Sequence, residues 1–422
     1  MTANTIARFL LFTLALTLPA LAEDPAPFTL RACVETALQR QAGILQGANA
    51  VESARARATQ AKSAYYPSIA ISHSTVLAES GRATGQRDGA SLTITENFYD
   101  GGLREARISG ANAAVAQSGY TLARTRQTVV YAVTRDYFAL LRARQLATVQ
   151  TARVAYLENY LTLVQARVDA GDAAEVDRLP VEAQLANARV DLLAAHTAIR
   201  TASVQLQQAM GLSPSPAFTV ADYAAPPALP ITSFEDSLAR GAADRPEVGE
   251  TRAGVQSAGA SVKSAKIALL PRLVVNGSFD QPIASGDPNA FTIVGGIAYD
   301  LFNGGSNRAA YREAQVSLSS AEIRAAQISR DIEAEVEAAY LNLESARERL
   351  AASDLSLQAA QKNVDVQQDR YAQGLAITLD LLNAQVEVVT ARSSAIQARY
   401  DYYTSYAQLE YAIGTQGGLY AH

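Results

Sequence analysis

The stretch "NFYDGG", residues 97–102, returns as "YDLFNGG" at 299–305. Each copy sets an aromatic (Phe98 or Phe302), a small polar residue (Asp100 or Asn303) and two glycines before a long proline-free run. The pairs Gly101-Gly102 and Gly304-Gly305 are read as joints where a strand turns sharply into a helix.

Aligning the two joints gives an offset of 203 residues, and the same offset aligns other landmarks. Val133–Tyr137 falls on Val336–Tyr340, Arg167 and Gly171 fall on Arg370 and Gly374, and Asp177 falls on Asp380. Met210-Gly211 falls on Ile413-Gly414, and Tyr66-Pro67 meets Leu270-Pro271 with a shift of one. The period is too long for a solenoid, so the chain is one structural unit written twice. The expected organisation is a first repeat over 23–212, a Pro-rich linker "SPSPAFTVADYAAPPALP" within 213–232, and a second repeat over 233–422.

Within a repeat the order reads helix, two strands, two helices. The first helix is expected over roughly 30–65 and again over 233–269, stopped by Pro67 and Pro271, because the residue before proline is pushed out of the helical region. The strands are expected at about 68–77, 90–99, 272–280 and 291–300. They alternate, as in Leu92, Ile94 and in Phe291, Ile293, Ile297, and about ten alternating residues match a tilted transmembrane strand. Tyr66, Phe98, Tyr99, Phe291, Tyr299 and Phe302 stand at strand ends, where membrane-interface aromatics sit. From Gly102 to about Asp169 no proline interrupts a 3/4-spaced pattern that includes Val129, Val133 and Leu141. The second repeat matches it with Ile328, Ile332, Val336, Leu343 and Leu350. Some 65–70 helical residues would extend about 100 Å, wider than any globular core. Such helices, with many alanines at their apolar positions, imply coiled coils. The chain reverses at tip turns expected near 169–178 and 372–381, where a glycine supplies the left-handed backbone that a helix C-terminus needs.

Composition narrows the function. The net charge of −5 and pI of about 5.4 offer no basic face for nucleic acid. His73, His196, His422 and the single Cys33 are scattered, so no metal site is read, and Cys33 is expected to be a small buried residue. No phosphate loop, HExxH, G-x-S-x-G or nucleophile–base pair is found, which argues against an enzyme, and no cofactor is implied. Residues 1–22 read as a signal peptide: Arg8, an apolar core from Phe9 to Leu18, then Ala20-Leu21-Ala22. "LRAC" at 30–33 lies too far from that core for a lipidation box. No later run is apolar enough for a transmembrane helix. Four strands cannot close a barrel, and open edges cannot stand in lipid, so further copies are required.

These features resemble the TolC family of outer-membrane efflux proteins over nearly all of 28–415. The resemblance is carried by the duplicated plan, both Gly-Gly joints, "RPEV" at 245–248 and above all "RYAQGLAITLDLLNAQ" at 370–385. It implies a mainly α fold with a small transmembrane β part. It also implies a homotrimer in the outer-membrane lipid, with a twelve-stranded barrel and a periplasmic α-barrel. Such a trimer is the passive exit duct of a tripartite efflux or type I secretion system. Its implied partners are a periplasmic adaptor (membrane fusion protein) and an inner-membrane transporter. Carried over by position, Arg167, Gly171, Arg370 and Gly374 match adaptor-docking tips. Asp380 matches a constricting acid of the periplasmic gate, with Asp177 its counterpart in the first repeat. A second family acid is here Asn383, and a family basic residue is here Ala376, which implies a weaker electrostatic ring. Asp380 can equally be a helix cap. The competing reading is a soluble periplasmic coiled-coil scaffold or adaptor, against which the four alternating strands argue. Two Met and three His fit poorly with a copper or silver conduit, and the exported substrate is otherwise not legible.

Overall fold

The computed structural model describes residues 27–75, 88–171, 174–223, 233–282, 288–415 and 419. The expected signal peptide, residues 76–77 of the first expected strand and part of the linker lie outside these, as do the side chains of Asn97 and Phe98. The first repeat runs α1 (Leu30–Arg40), α2 (Ala42–Lys62), β1 (Ser68–Thr75), β2 (Asp88–Tyr99), α3 (Leu103–Asp169) and α4 (Arg178–Ala209). The second runs α5 (Phe234–Asp244), α6 (Pro246–Ile267), β3 (Arg272–Pro282), β4 (Ala290–Ala298), α7 (Ser306–Ala372) and α8 (Thr378–Ile413).

The first helix of each repeat, expected as one piece, is two. In the second repeat Pro246 is the cause: it starts α6, and Arg245 before it is extended at φ −71°, ψ 127°. In the first repeat no proline is present. There Gln41 takes the same extended backbone (φ −66°, ψ 124°), and its side-chain carbonyl accepts from the free N–H groups of Gly43 and Ile44. A side-chain cap replaces the ring.

The four strands form one antiparallel sheet in the order β1-β2-β3-β4. Its register sorts the side chains into a mainly apolar and a mainly hydroxyl-bearing face. Ile71, Leu92, Phe279 and Phe291 lie in one row, with Ile69, Ile94 and Ile293 beside them on the same face. The other face carries Ser72, Ser91 and Asp280 in one row, then Thr93, Ser278 and Thr292, then Ser68, Thr95 and Asn276. The apolar face is bare in this chain, with Ile71 81 % and Ile297 77 % exposed. The register also puts His73, Gln281 and Glu96 on that face, Glu96 beside the bulge between Glu96 and Tyr99.

α3 and α7 each have 67 residues, about 100 Å of helix. Toward the sheet the helices lie in the order α2, α3, α6, α7; toward the tips the order is α4, α3, α8, α7. The row is therefore open at α7 on one side and at α2 and α4 on the other. Those edges show unpartnered apolar residues: Val190 and Leu193 on α4, and Val316, Ile323, Leu341 and Leu355 on α7. Midway, a main core gathers both repeats around Tyr137, Phe138, Leu206, Leu343 and Ile413. Phe28 bridges to Val220 and stacks on Phe218 at 5.2 Å, tying the start of the chain to the linker. Cys33 is fully buried there, and burial pushes its thiol up to about 12, so it is inert.

Candidate functional site

Specialised local geometry is concentrated at three levels: the strand–helix joints, the waist and the helical tips. At the first joint Gly101 and Gly102 have φ of +70° and +91°, and at the second Gly304 and Gly305 have +68° and +83°. Two successive left-handed residues turn the chain within one step. Asp100 holds the first joint: its carboxylate accepts from the N–H of Gly102 at 3.1 Å, Leu103 at 3.2 Å and Arg104 at 2.9 Å. It thus satisfies donors at the start of α3 that lack partners in the helix, and its negative charge suits the helix N-terminus.

At the tips the long helices end in matching turns. Gly374 has φ +72°, and the N–H of Leu375 donates to the carbonyl of Arg370 at 2.8 Å, closing a glycine-capped helix end. Gly171 ends α3 with the same left-handed backbone, φ +80°, its N–H donating to the carbonyl of Val168 at 3.0 Å. Ala174 precedes a 3-10 turn (Glu175–Asp177) that leads into α4, and Ile377 precedes α8; neither can cap with its own side chain. Asp177 and Asp380 do so instead, accepting from the N–H of Ala174 at 3.3 Å and of Ile377 at 3.4 Å. Asp380 and Asn383 are both exposed, one apart by nearly a turn at the start of α8. Ala376 supplies no charge to this turn.

The structure joins Arg167 of the first tip to the second tip. Its guanidinium donates to Tyr371 Oη at 2.8 Å and lies 5.4 Å from the ring centre. Arg370, by contrast, serves its own turn, with Nη2 3.5 Å from the carbonyl of Leu375. Sequence reading passed over Tyr371 and its neighbours: Tyr156 stacks on Tyr160 at 6.0 Å, and Tyr160 lies 6.1 Å from Tyr371. The i, i+4 spacing of Tyr156 and Tyr160 was the available signal. Burial pushes the Tyr160 phenol up. Burial would do the same to Tyr371, but the hydroxyls of Tyr160 and Thr378 and the charge of Arg167 outweigh it and bring that phenol down.

The waist holds a second group that sequence reading missed. "RPEV" supplies Arg245 and Glu247 to a charged cluster with Arg124 of α3 and Glu335 of α7. Arg124 sits 2.7 Å from Glu247, and its guanidinium lies 3.7 Å above the ring of Tyr411. Arg245, only 5 % exposed, also donates to the carbonyl of Ala412 at 3.3 Å. Burial pushes the Glu247 carboxyl up, but the bond from Arg245 and the charge of Arg124 more than offset this and hold it below the usual range. Among the described residues no His, Cys, Asp and Glu group could hold a metal ion, and no helix is long and apolar enough to cross a membrane.

A two-faced antiparallel sheet continuing through glycine joints into paired helices about 100 Å long defines an outer-membrane channel-tunnel. The chain belongs to the outer membrane efflux protein family, the TolC family, whose profile matches residues 33–212 and 239–415. It is similar to the outer membrane efflux protein BepC of Brucella suis, 27 % identical over 350 residues, covering 81 % of this chain and 75 % of that protein. It is 23 % identical to the outer membrane protein TolC of Vibrio cholerae, covering 85 % of this chain and 84 % of TolC. Its fold matches the crystal structure of the outer membrane protein VceC from Vibrio cholerae with a TM-score of 0.80 at 17 % identity, covering 92 % and 96 % of the two chains. The protein is thus an outer-membrane efflux or secretion channel with a periplasmic helical part, and not an enzyme.

Proposed function

We propose that three copies of this chain close into a continuous duct, the passive exit of a tripartite efflux or type I secretion system. The observation that carries this is the agreement of the open edges. The sheet ends at β1 and β4, and the helical row ends at α2 and α4 on the β1 side and at α7 on the β4 side. One head-to-tail contact therefore covers strand edges and helix edges together, and repeated around an axis it closes. Three copies make twelve strands, the number family membership supports. The bare apolar face then meets the outer-membrane lipid and the hydroxyl face lines the lumen. A soluble periplasmic scaffold would leave that apolar face in water.

In this reading the tip turns around Gly171 and Gly374, with Arg167 and Arg370, dock a periplasmic adaptor coupled to an inner-membrane transporter. Asp380, Asn383 and Asp177 lie at the periplasmic gate. Energy comes from the transporter, since a channel of this kind has none of its own. The test is the mass of the detergent-extracted protein by light scattering with subtraction of detergent. A trimer from the outer-membrane fraction is expected; a monomer from the soluble periplasmic fraction would overturn the proposal.

A further inference from the structure

The lumenal face of the sheet carries its charge in two places only, among the residues described. Arg272 stands at the periplasmic end of β3 and Asp280 eight residues further along the same strand. The strand alternates with period two, so both point to the hydroxyl face. Between them the described residues of that face are Val274, Asn276 and Ser278 on β3 and uncharged residues on the paired strands. At about 3.4 Å per residue the two charges are separated by roughly 27 Å of strand. Among the described residues Asp280 is thus the one anion on this mainly hydroxyl-lined wall, at its external end. Its carboxylate accepts from Ser278 Oγ at 3.2 Å, the hydroxyl one step down the same face, which holds it along the wall. Ser91 and Ala290 are its cross-strand partners, and neither brings a cation.

We propose that Asp280 is a charge-selecting residue of the outer mouth, distinct from the tip acids, which favours passage of cationic over anionic small solutes. The proposal rests on the lumenal placement of the hydroxyl face. In a closed ring each copy contributes one Asp280, and no described lumenal cation lies near to cancel it. A ring of carboxylates in a confined aqueous pore concentrates cations and repels anions. The expected substrate class for the outer segment is neutral or positively charged solutes. Anions would meet their last barrier there after passing Arg272.

The chain's own chemistry provides a clean test, because Cys33 is its one cysteine and is fully buried. Ser91→Cys places a thiol beside Asp280 on the same face, and Leu92→Cys places one on the apolar face. Intact cells carrying each variant are treated from outside with membrane-impermeant methanethiosulfonates of either charge, with and without Asp280→Asn. In Ser91→Cys the cationic reagent should react faster than the anionic one by roughly three- to tenfold relative to their rates with a free thiol, and less so at high salt. Asp280→Asn should remove that preference while leaving Ser91→Cys reactive. Equal preference with and without Asp280 would overturn the charge-selecting role and leave the lumen reading intact. Protection of Ser91→Cys from both reagents, or reaction at Leu92→Cys instead, would overturn the placement of the faces and the proposal with it. Labelling after denaturation confirms that each thiol is present.

Discussion

Arg167 donates a 2.8 Å hydrogen bond to Tyr371, which links the end of α3 to the end of α7 across the two repeats. This contact and the shared packing of Val164, Val181, Leu381 and Leu382 hold the two tip turns of one chain together. In the proposed duct, opening the periplasmic end would separate or rotate these elements. Tyr371→Phe keeps the ring and removes the hydroxyl. The contact is exposed, so a loss of about 1 kcal/mol or less in stability is expected. Channel behaviour should be more sensitive: a higher open fraction in planar bilayers, with an unchanged melting midpoint to within a few degrees. An unchanged open fraction would assign the contact to packing alone.

Asp380 and Asp177 cap returning helices, and both face solvent or are half-buried, so cap and charge can be separated. Asp380→Asn keeps an acceptor for the Ile377 N–H and removes the charge; Asp380→Ala removes both. If the acid acts as a ring charge, both substitutions raise leak and lower cation preference alike. If it acts as a cap, only Asp380→Ala changes conductance, with a stability loss of about 1 kcal/mol. Single-channel recording of the two variants side by side decides.

Gly374→Pro should impair coupling to the adaptor. Proline cannot adopt the φ of +72° found there, nor can its nitrogen donate to the carbonyl of Tyr371 as Gly374 does at 3.1 Å. Export of substrate should fall while trimers still reach the membrane. Full export with the variant present at normal levels would count against docking at this turn.

The waist cluster predicts an acid-sensitive stability. The Glu247 carboxyl lies below its usual range in the fold. Its contribution is therefore fully present above the unfolded value near 4.3 and is lost as the pH falls through the lower folded value. The melting midpoint should drop in that window. Glu247→Ala leaves Arg245 with Glu335 and the Ala412 carbonyl, and should cost about 1.5–3 kcal/mol at neutral pH. Its melting midpoint should then fall less steeply in acid than that of the wild type. Parallel acid profiles for the two proteins would remove Glu247 from the account.

Much of this architecture was legible in the chain because it is written locally. The Gly-Gly joints mark where strand turns to helix, the strands alternate, and α3 and α7 are long uninterrupted periodic runs. The 203-residue offset exposed the duplication and even paired Asp177 with Asp380, which make the same contact. What escaped was non-local. The break at Gln41 has no proline and rests on one side chain turning back to two N–H groups. Arg124, Arg245, Glu247 and Glu335 meet only because three helices converge, so their spacing carries no signal. "RPEV" was noticed as a family mark, while its physical role, an elbow at Pro246 and a buried charge pair, became clear only in three dimensions. The Arg167–Tyr371 link likewise crosses the repeats, whereas comparison of repeats finds only what they share.

The proposed membrane duct forms when the open strand and helix edges of one chain close on its copies. Single-channel conductance of the detergent-extracted protein in a planar bilayer tests it most directly, wild type beside Asp380→Ala. Discrete insertion events with a small, mostly closed conductance that grows in the variant are predicted. Absence of insertion by well-folded protein, recovered instead from the soluble periplasm, would contradict the account.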